Sequence, residues 1–320
     1  MKKNKIKDTG LEVTELSFGT SSLGSMPDTY GYEVPEDRAN KTLNRFFQGP
    51  VNMLDTSRNY AMGESEKRIG RAIKENGGWP KDFLLSTKLD RNMDTLVLDK
   101  NRARQSLEES LKTLNVDSVD ILFLHDPEYA KDITDITKKD GAMDELFKIK
   151  NEGLAKAVGV AMGKVHIMFS LLKDWDFDVI INHNRYTLIN REANEMYDYA
   201  YSKNIAIFNA APYAGGVLAK GPDNFKKVTY QDASEEKLAP AREFEKVCKK
   251  YNVEMGAAAL QFSLRDKRIA STICGVTSIE SIEKNLEWAN CKISLEFWEE
   301  VLKLPFSSKD PESDRIFTPG

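Results

Sequence analysis

At 320 residues, the chain has the length of one α/β barrel of ordinary size with an extension. Its composition, 41% apolar and 30% charged, is that of a soluble globular protein, and no apolar run approaches the roughly 20 residues that span a bilayer. A net charge of −4 gives no electrostatic case for nucleic acid or an anionic membrane as partner. The Lys-rich start is followed by no apolar core of a signal peptide. Cys248, Cys274 and Cys291 are odd in number and lack CxxC spacing, which points to a reducing, cytoplasmic setting without a structural metal.

Strand-like and helix-like stretches alternate almost throughout. A hairpin is expected over Ile6–Thr14, then strand Leu16–Gly19 and helix Pro35–Phe47, stopped by Gln48–Gly49–Pro50. Strand Val51–Asp55, helix Ser65–Asn76, strand Asp82–Lys88, helix Asn101–Leu114 and strand Ser118–Leu124 follow. The alternation continues with helix Ala142–Asn151, strand Ala155–Val160, helix Val165–Leu172, strand Phe177–Ile181, helix Ala193–Lys203 and strand Ile205–Asn209. Two helical stretches, Glu235–Tyr251 and Gly256–Arg265, precede a last strand, Ala270–Cys274, and a helix from Ser278 to Ala289 capped by Ser278.

About eight strand–helix units with short apolar strands predict a closed parallel (β/α)8 TIM barrel with a short N-terminal hairpin and long strand-end loops. No linker divides the chain, so residues 1–320 read as a single domain. No G-x-G-x-x-G follows the first strand, which argues against an open dinucleotide-binding sheet. The long, Gly-containing connection Ala211–Ser234 is expected to form a flap over a ligand. Trp79, Trp175, Trp288 and Trp298 read as packing residues, and His166 as a surface helix residue.

Three strands end in Asp55, Lys88 and His125, with Tyr60 five residues beyond the first. In a barrel, that end carries the active site. A free phenol, with a pKa near about 10, is too weak an acid for efficient proton transfer at neutral pH, and a nearby ammonium is expected to lower it. A carboxylate beside the lysine fixes the ammonium, and an imidazole can polarise a carbonyl oxygen. The set suits proton transfer to a carbonyl or alcohol oxygen. It has too few ligands for a metal. Lys88 as a Schiff-base nucleophile remains an alternative.

The chain resembles the aldo-keto reductases over nearly its full length. The resemblance rests on Thr9–Gly10–Leu11–Glu12–Val13, Phe18–Gly19–Thr20, Asp55 to Tyr60 with Gly63–Glu64–Ser65–Glu66 and Gly70, and Ser86–Thr87–Lys88. It extends through Leu124–His125, Gly159, Pro212 with Gly216 and Leu218, and Gly275 with Asn285. It implies a barrel that binds a nicotinamide cofactor, NAD or NADP, at the strand ends. It also implies that Tyr60 is the general acid or base, Lys88 tunes it, Asp55 pairs with Lys88 and His125 orients the substrate oxygen. Cofactor contacts carried over are Gly19, Thr20, Asp55, Met162, His183, Pro212, Gly216, Leu218, Gly275, Thr277, Ser281 and Asn285.

Departures from the family pattern are informative. The Ser-Asn pair that holds the nicotinamide amide in many members reads Ala161–Met162–Gly163, and His183 stands at the usual glutamine position. The stacking aromatic after the seventh strand is replaced within Asn209–Ala210–Ala211–Pro212. These features, with His125–Asp126–Pro127 and Arg185–Tyr186–Thr187–Leu188, are similar to the branch that oxidises aldoses such as fucose, L-galactose and D-threo-aldoses at C1. Arg58, Asp126 and Tyr129 are placed to meet the hydroxyls of a sugar or small carbonyl substrate. NADP-preferring members carry an Arg where this chain has Ser281 and often a Lys where it has Gly275, so NAD is favoured, with Lys284 or Lys220 as compensating cations. A broad aldehyde reductase and a non-enzymatic cofactor-sensing subunit are the alternative readings. Nothing in the sequence sets an oligomeric state.

Overall fold

The computed structural model describes residues 1–313. It opens with a hairpin, β1 (Lys3–Ile6) and β2 (Leu11–Thr14), paired antiparallel with Lys3 opposite Thr14. Then come β3 (Leu16–Gly19), β4 (Met53–Asp55), β5 (Leu84–Leu89), β6 (Val119–His125), β7 (Ala155–Met162), β8 (Val179–His183) and β9 (Ala206–Ala210). A small ribbon of β10 (Lys227–Val228) and β11 (Gln231–Asp232) precedes β12 (Ile269–Gly275). Strands β3 to β9 and β12 close into an eight-stranded barrel in which every pairing is parallel. This is the (β/α)8 TIM barrel expected from the alternation.

Strand alternation builds two cores. One lies between the strands and the surrounding helices and contains Leu54, Leu122, Val158, Met162 and Ile180. The other fills the barrel, where Phe123, Ala157, Ala161, Ile181 and Phe208 meet. The hairpin plugs the N-terminal end of the barrel with Ile6, Leu11 and Val13, which join that inner core. Burying each such side chain stabilises the fold by about 1.5–3 kcal/mol. Asn52 fastens the plug, accepting the Thr14 N–H at 2.8 Å and donating to the Glu12 carbonyl at 2.9 Å. That tie explains why β4 begins at Met53 and not at Val51.

Two glycines mark close approaches. A Cβ on Gly159 would lie 1.7 Å from the Val179 carbonyl of the adjacent strand, and one on Gly70 would lie 2.0 Å from the Thr113 carbonyl of the next helix. The expected helix cap is present, with Ser278 accepting the Ser281 N–H; Asp99 and Ser234 act likewise on two other helices. A final helix, Leu295–Val301, was not anticipated; Ser294 caps it, and Phe297, Trp298 and Val301 bury its inner face. No helix among the described residues is long and apolar enough to cross a membrane.

Candidate active site

A cleft of about 940 Å³ opens at the C-terminal ends of the strands. Its floor holds Asp55, Tyr60, Lys88 and His125 beside the small or apolar residues Ala161, Ile181, Ala210 and Ile273. The Ala211–Ser234 connection lies over it: a tight turn at Ala214–Gly216, a short helix Val217–Lys220, then the β10–β11 ribbon. Tyr230 from this connection meets Tyr30, at the end of the short helix Pro27–Tyr30 after β3, edge to face at 5.8 Å. The Lys220 ammonium lies 5.4 Å from the Tyr32 ring centre, so two contacts join the walls.

Lys88 is buried, and its ammonium donates to both Asp55 oxygens at 2.8 Å and to the Thr56 carbonyl at 2.6 Å. All three N–H groups are therefore engaged, and no lone pair remains for Schiff-base attack. Ser86 also donates to Asp55 at 2.8 Å. The Lys88 ammonium stands over the Tyr60 ring, 4.8 Å from its centre, and His125 meets that ring edge to face at 5.8 Å. After Tyr60 the chain turns through Ala61, Met62 and Gly63, all at positive φ. A Cβ on Gly63 would strike the Arg58 guanidinium.

The direction of the Tyr60 shift corrects the expectation for it. Burial raises its pKa well above the ordinary phenol value, and the carboxylates of Asp55, Asp126 and Asp90 push the same way. Lys88 does not reverse this, because its charge is matched by Asp55 at contact distance. The resting group is a neutral phenol.

A residue missed in the sequence holds His125. Asp90 has no solvent exposure, and its Oδ1 lies 2.5 Å from His125 Nδ1. Burial opposes charge on Asp90, yet His125, Ser57 and Lys88 outweigh it and keep the carboxyl below the usual range. Its position two residues after Lys88, just past a strand end, was the available signal.

Of the other expected contacts, Gly19, Asp126, His183, Pro212, Gly216, Gly275, Thr277, Ser281 and Asn285 line the cleft. Five do not. Met162 falls on the outward phase of β7 and packs against the helices, so Ala161 faces the cleft in its place. Leu218 points into the outer core. Thr20 is buried, with its hydroxyl donating to the Asp55 carbonyl at 2.9 Å. Arg58 turns toward Glu109, 3.6 Å away, and Tyr129 lies between the cations of Arg91 and Lys164. Trp288, read as packing, also forms part of the cleft wall, edge to face with Tyr213 at 5.7 Å.

Arg185 explains one departure from the family pattern. It is buried, paired with Glu312 and, at 2.7 Å, with Asp310, and its guanidinium fills the space beside Gly163. A Cβ there would come within 2.6 Å of it. His183 Nδ1 sits 3.6 Å from the same Glu312.

The donor set fits a nicotinamide dinucleotide. Ala161 and Ala210 on the floor leave room for a flat ring, while Thr277 ahead of the last cleft helix and Lys284 within it bring polar atoms to the far end. Fold and site together define a TIM-barrel oxidoreductase. Residues 15–304 match the Aldo/keto reductase family, and the chain belongs to it and is an NAD(P)-dependent enzyme. It is 31% identical to an L-galactose dehydrogenase of Arabidopsis thaliana, over 87% of this chain and 85% of that protein. It is 26% identical to a D-threo-aldose 1-dehydrogenase of a Pseudomonas species, over 91% and 94% of the two chains. The fold is shared with an aldo-keto reductase from Bacillus halodurans in its holo form, at a TM-score of 0.78 and 21% identity, covering 99% of this chain and all of the other.

Proposed function

We propose that this protein moves a hydride between NAD and the C1 carbon of an aldose, with Tyr60 giving a proton to the substrate oxygen in reduction and taking it in oxidation. The observation that carries this reading is the Tyr60 phenol set between the Lys88–Asp55 pair and His125 on a floor of small and apolar side chains. Bound nicotinamide supplies or accepts the hydride and, when oxidised, adds a positive charge to the cleft. Tyr60 is poised as a donor, and the Lys88 ammonium, matched by Asp55, orders the ring rather than supplying a net charge to a phenolate. Lys88 also keeps the desolvated Asp55 neutralised.

An aldose suits the rest of the cleft. Asp28, Thr29, Asn59 and Asp126 offer polar atoms, and Tyr30 and Tyr230 offer ring faces and edges, a mixture that matches a polyol with C–H faces. The names of the two relatives support the same substrate class.

The far end of the cleft supports NAD over NADP. Ser281 is committed to the helix cap, where it donates to the Ser278 carbonyl at 2.7 Å. Lys284 is held by Glu254 at 2.8 Å and Glu287 at 3.1 Å, so its charge is already matched. The three cysteines are free thiols, in keeping with a reducing cytoplasm.

Incubation with L-galactose, L-fucose or D-arabinose should produce NADH, with kcat/KM for NAD at least about tenfold above that for NADP, a difference of about 1.4 kcal/mol. Ser281→Arg should narrow that gap. Reduction of simple aldehydes without oxidation of any of the three sugars would replace the aldose reading with the broader reductase one.

A further inference from the structure

Asp90 lies outside the four residues that make up the proposed proton-transfer site, yet it is among the best-secured carboxylates in the protein. One oxygen faces His125 Nδ1 at 2.5 Å. The other accepts from the Ser57 hydroxyl at 2.7 Å and the Asn59 N–H at 3.1 Å, and the Asp90 N–H donates to the Ser106 hydroxyl at 2.8 Å. An ionised carboxylate only accepts, so the hydrogen between Asp90 and His125 belongs to Nδ1. The opposite nitrogen, Nε2, is turned to the cleft, 3.8 Å from Asp126 Oδ2.

We propose that Asp90 is a positioning residue that pins a hydrogen on His125 Nδ1, so that Nε2 meets the substrate oxygen as a donor when the ring is cationic and as an acceptor when it is neutral. This rests on the reading above that the substrate oxygen lies beside Tyr60. A carbonyl oxygen needs a donor, whereas an alcohol offers its own O–H. Carbonyl reduction therefore draws on the cationic ring and sugar oxidation on the neutral one. The pH range in which each direction turns over fastest follows the charge of His125, and Asp90 sets where that charge changes.

The groups facing His125 agree. Burial works against the cation, but the carboxylates of Asp126 and Asp90 outweigh it, with the Lys88 ammonium opposing them, and the ring titrates above its ordinary value. Tyr60 is the remaining titratable neighbour and is held neutral.

The chain has only three histidines, so the ring signals of isotope-labelled protein can be assigned with His166→Gln and His183→Gln variants and followed against pH. The proposal predicts nitrogen shifts that place the hydrogen of neutral His125 on Nδ1, and a midpoint above about 6.5 that drops by about one pH unit or more in Asp90→Asn. The high-pH limb of carbonyl reduction should drop with it, while the KM for NADH changes less than about threefold, corresponding to under about 0.7 kcal/mol. A hydrogen on Nε2 in the wild type, or a midpoint that Asp90→Asn leaves in place, would overturn the proposal. If Asp90→Asn does not fold, the wild-type nitrogen shifts decide alone. The measurement needs no substrate, so its failure is distinct from failure of the oxidoreductase reading.

Discussion

At the N-terminal end of the barrel, left-handed backbone falls mostly on asparagine: Asn115 closes one helix and Asn204 leads into β9, with Lys7 in the hairpin turn. At the C-terminal end it falls mainly on other residues, Ala61, Met62, Asp126, Ala211, Ala214 and Tyr230, with one asparagine, Asn184, and all lie in or near the cleft lining. Asparagine tolerates this conformation, whereas other L-residues lose about 1–2 kcal/mol by adopting it. The same contrast holds for burial. The hairpin end hides Ile6, Leu11 and Val13, and the cleft end hides Asp55, Lys88, Asp90 and His125. One end is arranged for stability. The other keeps strain and desolvated charge because they hold a phenol, an ammonium and an imidazole in place.

The largest effect that would break this contrast is expected at Lys88. Lys88→Met leaves Asp55 charged and unpaired, so it should abolish turnover and also lower stability by about 3–5 kcal/mol, read by denaturant titration. Ile6→Ala should lower stability by about 2–5 kcal/mol but leave kcat within about twofold at a temperature where the variant is folded. A large loss of kcat there would show that the two ends are not independent.

Glu66 sharpens the comparison in the opposite direction. It is buried behind β5 and accepts from Thr87 at 2.6 Å, with no cation among the described residues in contact to match its charge. Burial raises its pKa to about 7. The folded state then binds the proton more tightly than the unfolded one, so its contribution to stability falls as pH rises from about 4.5 to about 7 and does not return above that. Glu66→Gln should therefore raise thermal stability at about pH 8, by about 1–3 kcal/mol, and change it little near about pH 4. An equal effect at both pH values would contradict the buried charge.

The smallest effects come from the backbone itself. Asn115→Ala should cost about 1 kcal/mol, whereas Ala61→Gly should gain up to about 1 kcal/mol while reducing kcat by loosening the turn after Tyr60. If Ala61→Gly leaves kcat unchanged, the strained turn is not what holds the phenol.

Much of this was legible in the sequence. Short apolar runs ending in Asp55, Lys88 and His125 placed the barrel and its floor, because strands buried on both faces leave little ambiguity about where they stop. What escaped depended on side-chain direction. Met162 and Ala161 are neighbours in the chain, and one step of phase decides which of them faces the cleft. Arg58 and Tyr129 left the cleft for partners on other elements, Glu109 and the cations of Arg91 and Lys164. Asp90 needed knowledge of where His125 would point. The pKa direction of Tyr60 needed its burial, and with it the Lys88–Asp55 contact that leaves little net positive charge beside the ring.

The most direct test of the proton-transfer site is Tyr60→Phe, which removes one oxygen from the floor and leaves the ring contacts with Lys88 and His125 possible. With an aldose and NAD, kcat should fall at least about 100-fold, the loss of about 2.7 kcal/mol expected when a positioned acid–base group is removed. NAD affinity from direct titration should stay within about threefold, less than about 0.7 kcal/mol. A variant that keeps most of its turnover would contradict the assignment of Tyr60 and the chemistry built on it.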